Sequence, residues 1–171
     1  MAVGPDGRIA VGGAFTNCGG VLAHNVAIYD PASSNWSGTA GGITAVPGSF
    51  AEIYTLAWFA GDVYAGGEFT HAGGNVAADL ARWDGSNWSS MGLGGVGTTV
   101  YALTASATHL YVGGGFDSID GVAANRVARW DGQAWTSLGT GTQNGTAGGV
   151  TALAVSGSKV YVGGTFTLAG G

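Results

Sequence analysis

Three histidines, ten acidic residues and one cysteine are the side chains of widest chemical reach in this sequence. An imidazole can ligate a metal or carry a proton near neutral pH, but His24, His71 and His109 stand in unlike surroundings, "VLAHN", "EFTHAG" and "THLYV". No shared spacing joins them, so loop or surface histidines are expected in place of a metal centre. The stretch "DSIDG" (117–121) sets two carboxylates near a glycine and faintly suggests calcium. The matching stretches "TNCGG" and "THAGG" carry no carboxylate, and the alternating oxygen ligands of a calcium loop do not follow. Glu52, Asp62, Glu68 and Asp79 could pair for acid–base work, yet no spacing marks such a pair. Arg82 and Arg129 each lie between Ala and Trp. Anion recognition is one reading; the other is an aliphatic stem packed on a neighbour with its head on a carboxylate. Ser and Thr are plentiful without a nucleophile elbow. The expectation is a chain with no catalytic residues, no metal and no cofactor, whose ligand-binding residues the pattern leaves unspecified.

What must position these side chains is a repeat. "IAVGGAFTNCGG", "VYAGGEFTHAGG", "LYVGGGFDSIDG" and "VYVGGTFTLAGG" are near-copies. Their phenylalanines are Phe15, Phe69, Phe116 and Phe166, at intervals of 54, 47 and 50 residues. Each follows a glycine pair: Gly12-Gly13, Gly66-Gly67, Gly113-Gly114 and Gly163-Gly164. A second marker, an aromatic just before Asp, recurs at Tyr29, Trp83 and Trp130, and a third at Trp36, Trp88 and Trp135. Self-similarity near 50 residues indicates a propeller or a repeat array. The units divide at about 1–49, 50–97, 98–147 and a half unit, 148–171.

Each full unit reads as four short strands. In the third, "VYALTAS" alternates, "HLYVGGGF" returns after a short turn, and a Gly-containing loop leads to "NRVARWD" and then "QAWTSLG". Asp84-Gly85 and Asp131-Gly132 are strong hairpin signals, because glycine takes positive φ without steric cost. The paired glycines are expected to let the backbone kink and a neighbouring aromatic lie flat against it. The recurring Phe and Trp rings are expected to fill the space between stacked sheets. A sugar-stacking platform would sooner depart from the repeat than follow it.

Composition narrows the function. The chain has 35 glycines, 9% charged residues, 11% aromatics and a net charge of −5. That mix suits an all-β fold with tight turns. Five basic residues, Arg8, Arg82, Arg126, Arg129 and Lys159, are too few to track phosphates, so nucleic acid is not an expected partner. No apolar run reaches the roughly 20 residues of a spanning helix, so membrane insertion is not expected. Cys18 is alone and cannot close an internal disulfide. "MAVGPDGR" lacks the basic start and apolar core of a signal peptide. Few charges and Ser/Thr/Asn-rich turns nonetheless favour an extracellular or cell-surface protein. Sequons stand at Asn35, Asn87 and Asn144, two of them overlapping a repeat Trp.

The first unit, "RIAVGGAF…NVAIYDPASSNW", resembles the kelch-type β-propeller repeat: an apolar run, a double glycine (Gly12-Gly13), a later Tyr (Tyr29) and a Trp (Trp36). The "LARWDGSNW" and "VARWDGQAW" units have Trp for Tyr and a shorter turn. In that form they are similar to the Gly-rich propeller repeats of bacterial exported proteins and fungal cortical polarity markers. The resemblance implies four-stranded antiparallel blades, about three and a half of them in this chain, and no particular activity, since propellers host many functions. The copper site of galactose oxidase, another kelch-type protein, has no residue-by-residue match here. Nor do "DGSNW" and "DGQAW" have the spacing of sialidase Asp boxes; they read as hairpin turns.

Propellers close with 4–8 blades, so the half unit is expected to mark either a piece of a longer propeller or a chain completed by another copy of itself. The expected role is a non-catalytic structural scaffold or interaction module with a protein or glycan partner. Carbohydrate binding through the "FTNCGGVLAHN" and "DSIDGVAAN" loops is the alternative, and a fragment of a larger propeller enzyme the next.

Overall fold

Alternating apolar and polar residues between Gly-bearing turns leave antiparallel pairing as the way to bury one face and satisfy the backbone. The computed structural model describes residues 1–92, 98–139 and 145–169, and every regular element among them is a strand. The unit boundary at 97, Asn144 of the third sequon and the closing Gly170-Gly171 lie outside the described residues.

In the first unit β1 (Ala2–Val3) pairs with β2 (Ile9–Gly12), a small hairpin β3 (Asn17–Cys18) and β4 (Val21–Leu22) intervenes, and β5 (Val26–Asp30) and β6 (Asn35–Gly38) complete the order β1-β2-β5-β6. After β7 (Ile43–Thr44), the second sheet is built from β8 (Glu52–Phe59), β9 (Asp62–Glu68), β12 (Leu80–Trp83) and β13 (Trp88–Ser90). Its small hairpin is β10 (His71–Ala72) and β11 (Asn75–Val76), which β7 extends to three strands. The third sheet has β14 (Val100–Ala105), β15 (Leu110–Gly114), β18 (Val127–Trp130) and β19 (Trp135–Ser137), around a hairpin β16 (Ser118–Ile119) and β17 (Val122–Ala123). β20 (Val150–Ser156) and β21 (Lys159–Gly164) pair as a two-stranded sheet.

The segments between second and third strands, read from sequence as Gly-containing loops, are hairpins. Their tips are Gly19-Gly20 (φ 57° and 84°), Gly73-Gly74 (59° and 82°) and Asp120-Gly121 (47° and 76°). Two successive positive φ values make the turn whose twist matches the flanking strands. Only Gly, Asn or Asp adopts them at low cost, which is why that stretch of the repeat reads GG or DG.

The sheets stack, with β8 against β2 on one side and β14 on the other, and β20 against β14. Between the first two sheets, Ala10, Val26 and Ile43 meet Ile53, Leu56 and Val63; between the second and third, Tyr64 and Leu80 meet Val100, Leu103, Leu110 and Val112. Each of these Val, Leu and Ile side chains contributes roughly 1.5–3 kcal/mol by leaving water. The first glycine of three of the pairs, Gly12, Gly66 and Gly113, makes the stacking close. A Cβ at Gly12 would stand 2.6 Å from Ile53 Cγ2, and at Gly66 or Gly113 it would collide with a methyl of Val100 or Val150. The neighbour against these first glycines is a branched aliphatic from the next sheet. The expected aromatic lies beside the second glycine of two pairs, where a Cβ at Gly13 or Gly114 would stand 3.6 Å from Phe15 Cδ1 or 3.2 Å from Phe116 Cδ1. The second glycine of three pairs, at Gly67, Gly114 and Gly164, lies against a backbone carbonyl at the start of its own sheet. Phe69 and Phe116 are buried, whereas Phe15 and Phe166, in the outer units, are half-buried.

The other repeat aromatics, the Tyr or Trp before Asp and the Trp that follows, pair within a sheet and not across sheets. Tyr29–Trp36, Trp83–Trp88 and Trp130–Trp135 are cross-strand partners with ring centroids 5.0, 5.5 and 5.1 Å apart, all tilted near 45°. They flank the third-to-fourth-strand turn. Trp88 also donates its indole N–H to the Thr39 carbonyl of the preceding unit, 3.0 Å away.

Candidate functional site

The last hairpin repeats the third sheet in sequence and reverses it in burial. Shifting residue numbers by 50 matches β14–β15 to β20–β21, so Leu110, Tyr111, Val112 and Gly113 correspond to Val160, Tyr161, Val162 and Gly163. All of β15 is buried, because β18 pairs along its edge and β20 packs over it. Along β21 every residue is exposed or half-buried. Tyr111 is 9% exposed and Tyr161 55%. Among the described residues β21 has β20 as its only strand partner. A shallow apolar cleft of about 260 Å³ lies over this hairpin, lined by Ala152, Leu153, Ala154, Tyr161, Val162 and Gly163. It offers main-chain hydrogen bonds along one edge and an apolar face beside it, the two things an added strand needs.

The side chains singled out for chemistry do not converge. His71 and His109 each set Nδ1 2.8 Å from the hydroxyl of the preceding Thr, Thr70 and Thr108, on different sheets. His24 has positive φ in the turn before β5, where its carbonyl accepts the Ile43 N–H. In "DSIDG", the backbone of Asp120 forms the hairpin tip, and the Asp117 carboxylate pairs with Arg126 at 2.9 Å. The four acidic residues weighed for acid–base work go three ways. Asp62 pairs with Arg82 at 2.6 Å, Glu52 and Glu68 face each other across β8 and β9, and Asp79 is buried at a corner. Arg82 therefore has the carboxylate partner expected of it, while Arg129 donates to the Thr136 hydroxyl at 2.9 Å instead. Cys18 is a half-buried free thiol. No group of three or more His, Cys, Asp or Glu side chains converges among the described residues. Nor is any helix among them long and apolar enough to cross a membrane.

The repeat also contains a device that its residue types do not announce. Asn25, Asp79 and Arg126 occupy the same corner before the third strand, with φ of 75°, 61° and 67°. Each donates its backbone N–H to the carbonyl of the repeat Phe and accepts from a repeat glycine through its own carbonyl. Asn25 Oδ1 and Asp79 Oδ1 accept the Phe15 and Phe69 amides at 2.9 and 3.1 Å, and Arg126 donates to the Gly115 carbonyl. Asn25 adds a bond from Nδ2 to the Ile43 carbonyl. Burial pushes the Asp79 carboxyl above the ordinary range, against hydrogen bonds from Thr98 and the Phe69 amide that lower it. Three different residue types at one position hide this corner from a pattern read by identity. Its signal is the place, immediately before an apolar strand.

Comparison agrees with the architecture. A family described as a domain of unknown function (DUF5122) beta-propeller matches residues 4–31, the stretch that runs from the β1–β2 turn through β5. The chain is a β-propeller-like repeat protein. No curated protein matches it at a significant level.

Proposed function

We propose that this chain is part of a kelch-type β-propeller that acts as a non-catalytic structural scaffold and interaction module. In this reading the three four-stranded sheets are blades, and β20–β21 is the inner half of a fourth. Its partner is more of the same repeat, in a continuation of the chain or in a second copy, and its place is outside the cell or on its surface. The observation that carries the reading is the contrast between buried Tyr111 and exposed Tyr161 at one register of one repeat. Single exposed apolar residues are ordinary, but a whole unpaired apolar hairpin is a surface built for covering.

Light scattering after size exclusion, on the chain as given and on Val162→Lys, tests this. A discrete oligomer that the lysine disperses, or a monomer whose β21 amides exchange freely and which binds a hydrophobic dye less after the substitution, is the expected result. A monomer with protected β21 amides and no dye binding would overturn it. The carbohydrate alternative places its site at the β3–β4 and β16–β17 hairpins, and saturable binding on a glycan array, lost on substitution there, would move the function to them.

A further inference from the structure

One cleft departs from the repeat. It has a volume of about 460 Å³ and lies between β8, β9 and the 48–50 turn, lined by Gly48, Ser49, Phe50, Glu52, Tyr54 and Glu68. Glu52 and Glu68 are direct cross-strand partners, an arrangement of like charges that weakens a sheet. The other units have Ala14, Gly115 and Thr165 where Glu68 stands, and the third and fourth have Thr99 and Gly149 where Glu52 stands. The second unit alone carries this acidic pair.

The aromatic side of the cleft has its own geometry. The β8–β9 register shifts between Ile53 and Thr55, which leaves Tyr54 as a bulge residue, and bulges re-aim side chains. Tyr101 takes the same place in β14. The two rings stack at 5.9 Å with planes 24° apart, each more than two-fifths exposed. The Tyr54 hydroxyl is 3.4 Å from Glu68 Oε2, and Phe50, at the mouth, is 91% exposed. Open aromatic faces beside two carboxylates that pair with no cation among the described residues match a ligand with positive charge on an apolar body.

We propose that this cleft binds a small organic ammonium ion, the Glu52 and Glu68 carboxylates balancing its charge and the faces of Phe50 and Tyr54 covering its alkyl groups. Stacking on Tyr101 holds the Tyr54 ring in place. The site is independent of how the β20–β21 hairpin is covered.

Choline chloride and its uncharged carbon isostere, dimethylbutanol, are titrated into the full chain at ionic strength matched with potassium chloride, and amide shifts are followed by NMR. Choline is expected to give saturable shifts at Glu52, Tyr54 and Glu68 and to bind about tenfold tighter than the alcohol. Glu68→Gln should weaken choline several-fold while leaving thermal stability equal or higher, since it relieves a like-charge pair. Tyr54→Leu, which keeps an apolar side chain but removes the π face, should weaken it too. Equal affinity for the alcohol, no saturable shift at those residues, or Glu68→Gln with unchanged choline affinity would each overturn the proposal.

Discussion

β15 and β21 are almost the same strand, "LYVGG" and "VYVGG", yet one is sealed and the other open. Nothing in their residues accounts for the difference. β15 has a third strand at its edge and the next sheet over its face, and β21 has neither among the described residues. An aliphatic repeat of this kind states where apolar surface will be, and the neighbours decide whether that surface stabilises the fold.

Four changes break or sharpen that comparison. The largest effect is expected at Leu110, fully buried in β15, where Leu110→Ala should cost about 2–5 kcal/mol in urea unfolding. The matching Val160→Ala in β21 should cost about 1 kcal/mol or less, because less surface leaves water there. Equal costs would mean that β21 is covered in solution. Next come the glycines. A side chain at Gly113 runs into Val150, so Gly113→Val should cost about 1–3 kcal/mol or more. At Gly163 the nearest atom to an added Cβ is Ala152 Cβ at 3.6 Å, so Gly163→Val should be close to neutral. A large cost at Gly163 would place a further sheet against it.

The third change compares corners. Asp79 is buried with its carboxyl raised, so in the folded state it holds its proton to higher pH than in the unfolded state. Its contribution to stability therefore falls as pH rises from about 4 through the raised value. Asp79→Asn, which supplies the residue already present at Asn25, removes that slope. The variant's advantage over the parent should grow across that interval and then level off, and an advantage independent of pH would refute the assignment. The smallest effect belongs to the turn carboxylates. Asp84 and Asp131 each accept two backbone N–H bonds within their hairpins, and these bonds hold both carboxyls below the ordinary range. Their contribution is present above that range and fades as pH falls through the lowered values. Asp131→Ala should thus lose a little stability at neutral pH and nothing in strong acid, as measured by thermal unfolding at both.

How much was legible follows from which interactions are local. Asp84-Gly85 and Asp131-Gly132 close as hairpins because the carboxylate, the glycine and the amides it holds all lie within four residues. The small hairpins at Gly19-Gly20, Gly73-Gly74 and Asp120-Gly121 carried the same signal, but strands of two residues are too short to alternate visibly. The corner at Asn25, Asp79 and Arg126 was hidden because a backbone conformation recurs there and a residue type does not. The cleft was hidden as well: Glu52 and Glu68 are 16 positions apart in the sequence and meet only through the β8–β9 register.

The sequence by itself determined an all-β chain of repeated four-stranded units, because period-two alternation, glycine pairs and turn dipeptides act over a few residues. The tertiary structure alone decided which of the identical apolar positions are buried, that the glycines answer to Ile53, Val100 and Val150 of the next sheet, and that two glutamates share one cleft with Tyr54. Those outcomes depend on atoms brought together by strand pairing and sheet stacking, and no local pattern carries them.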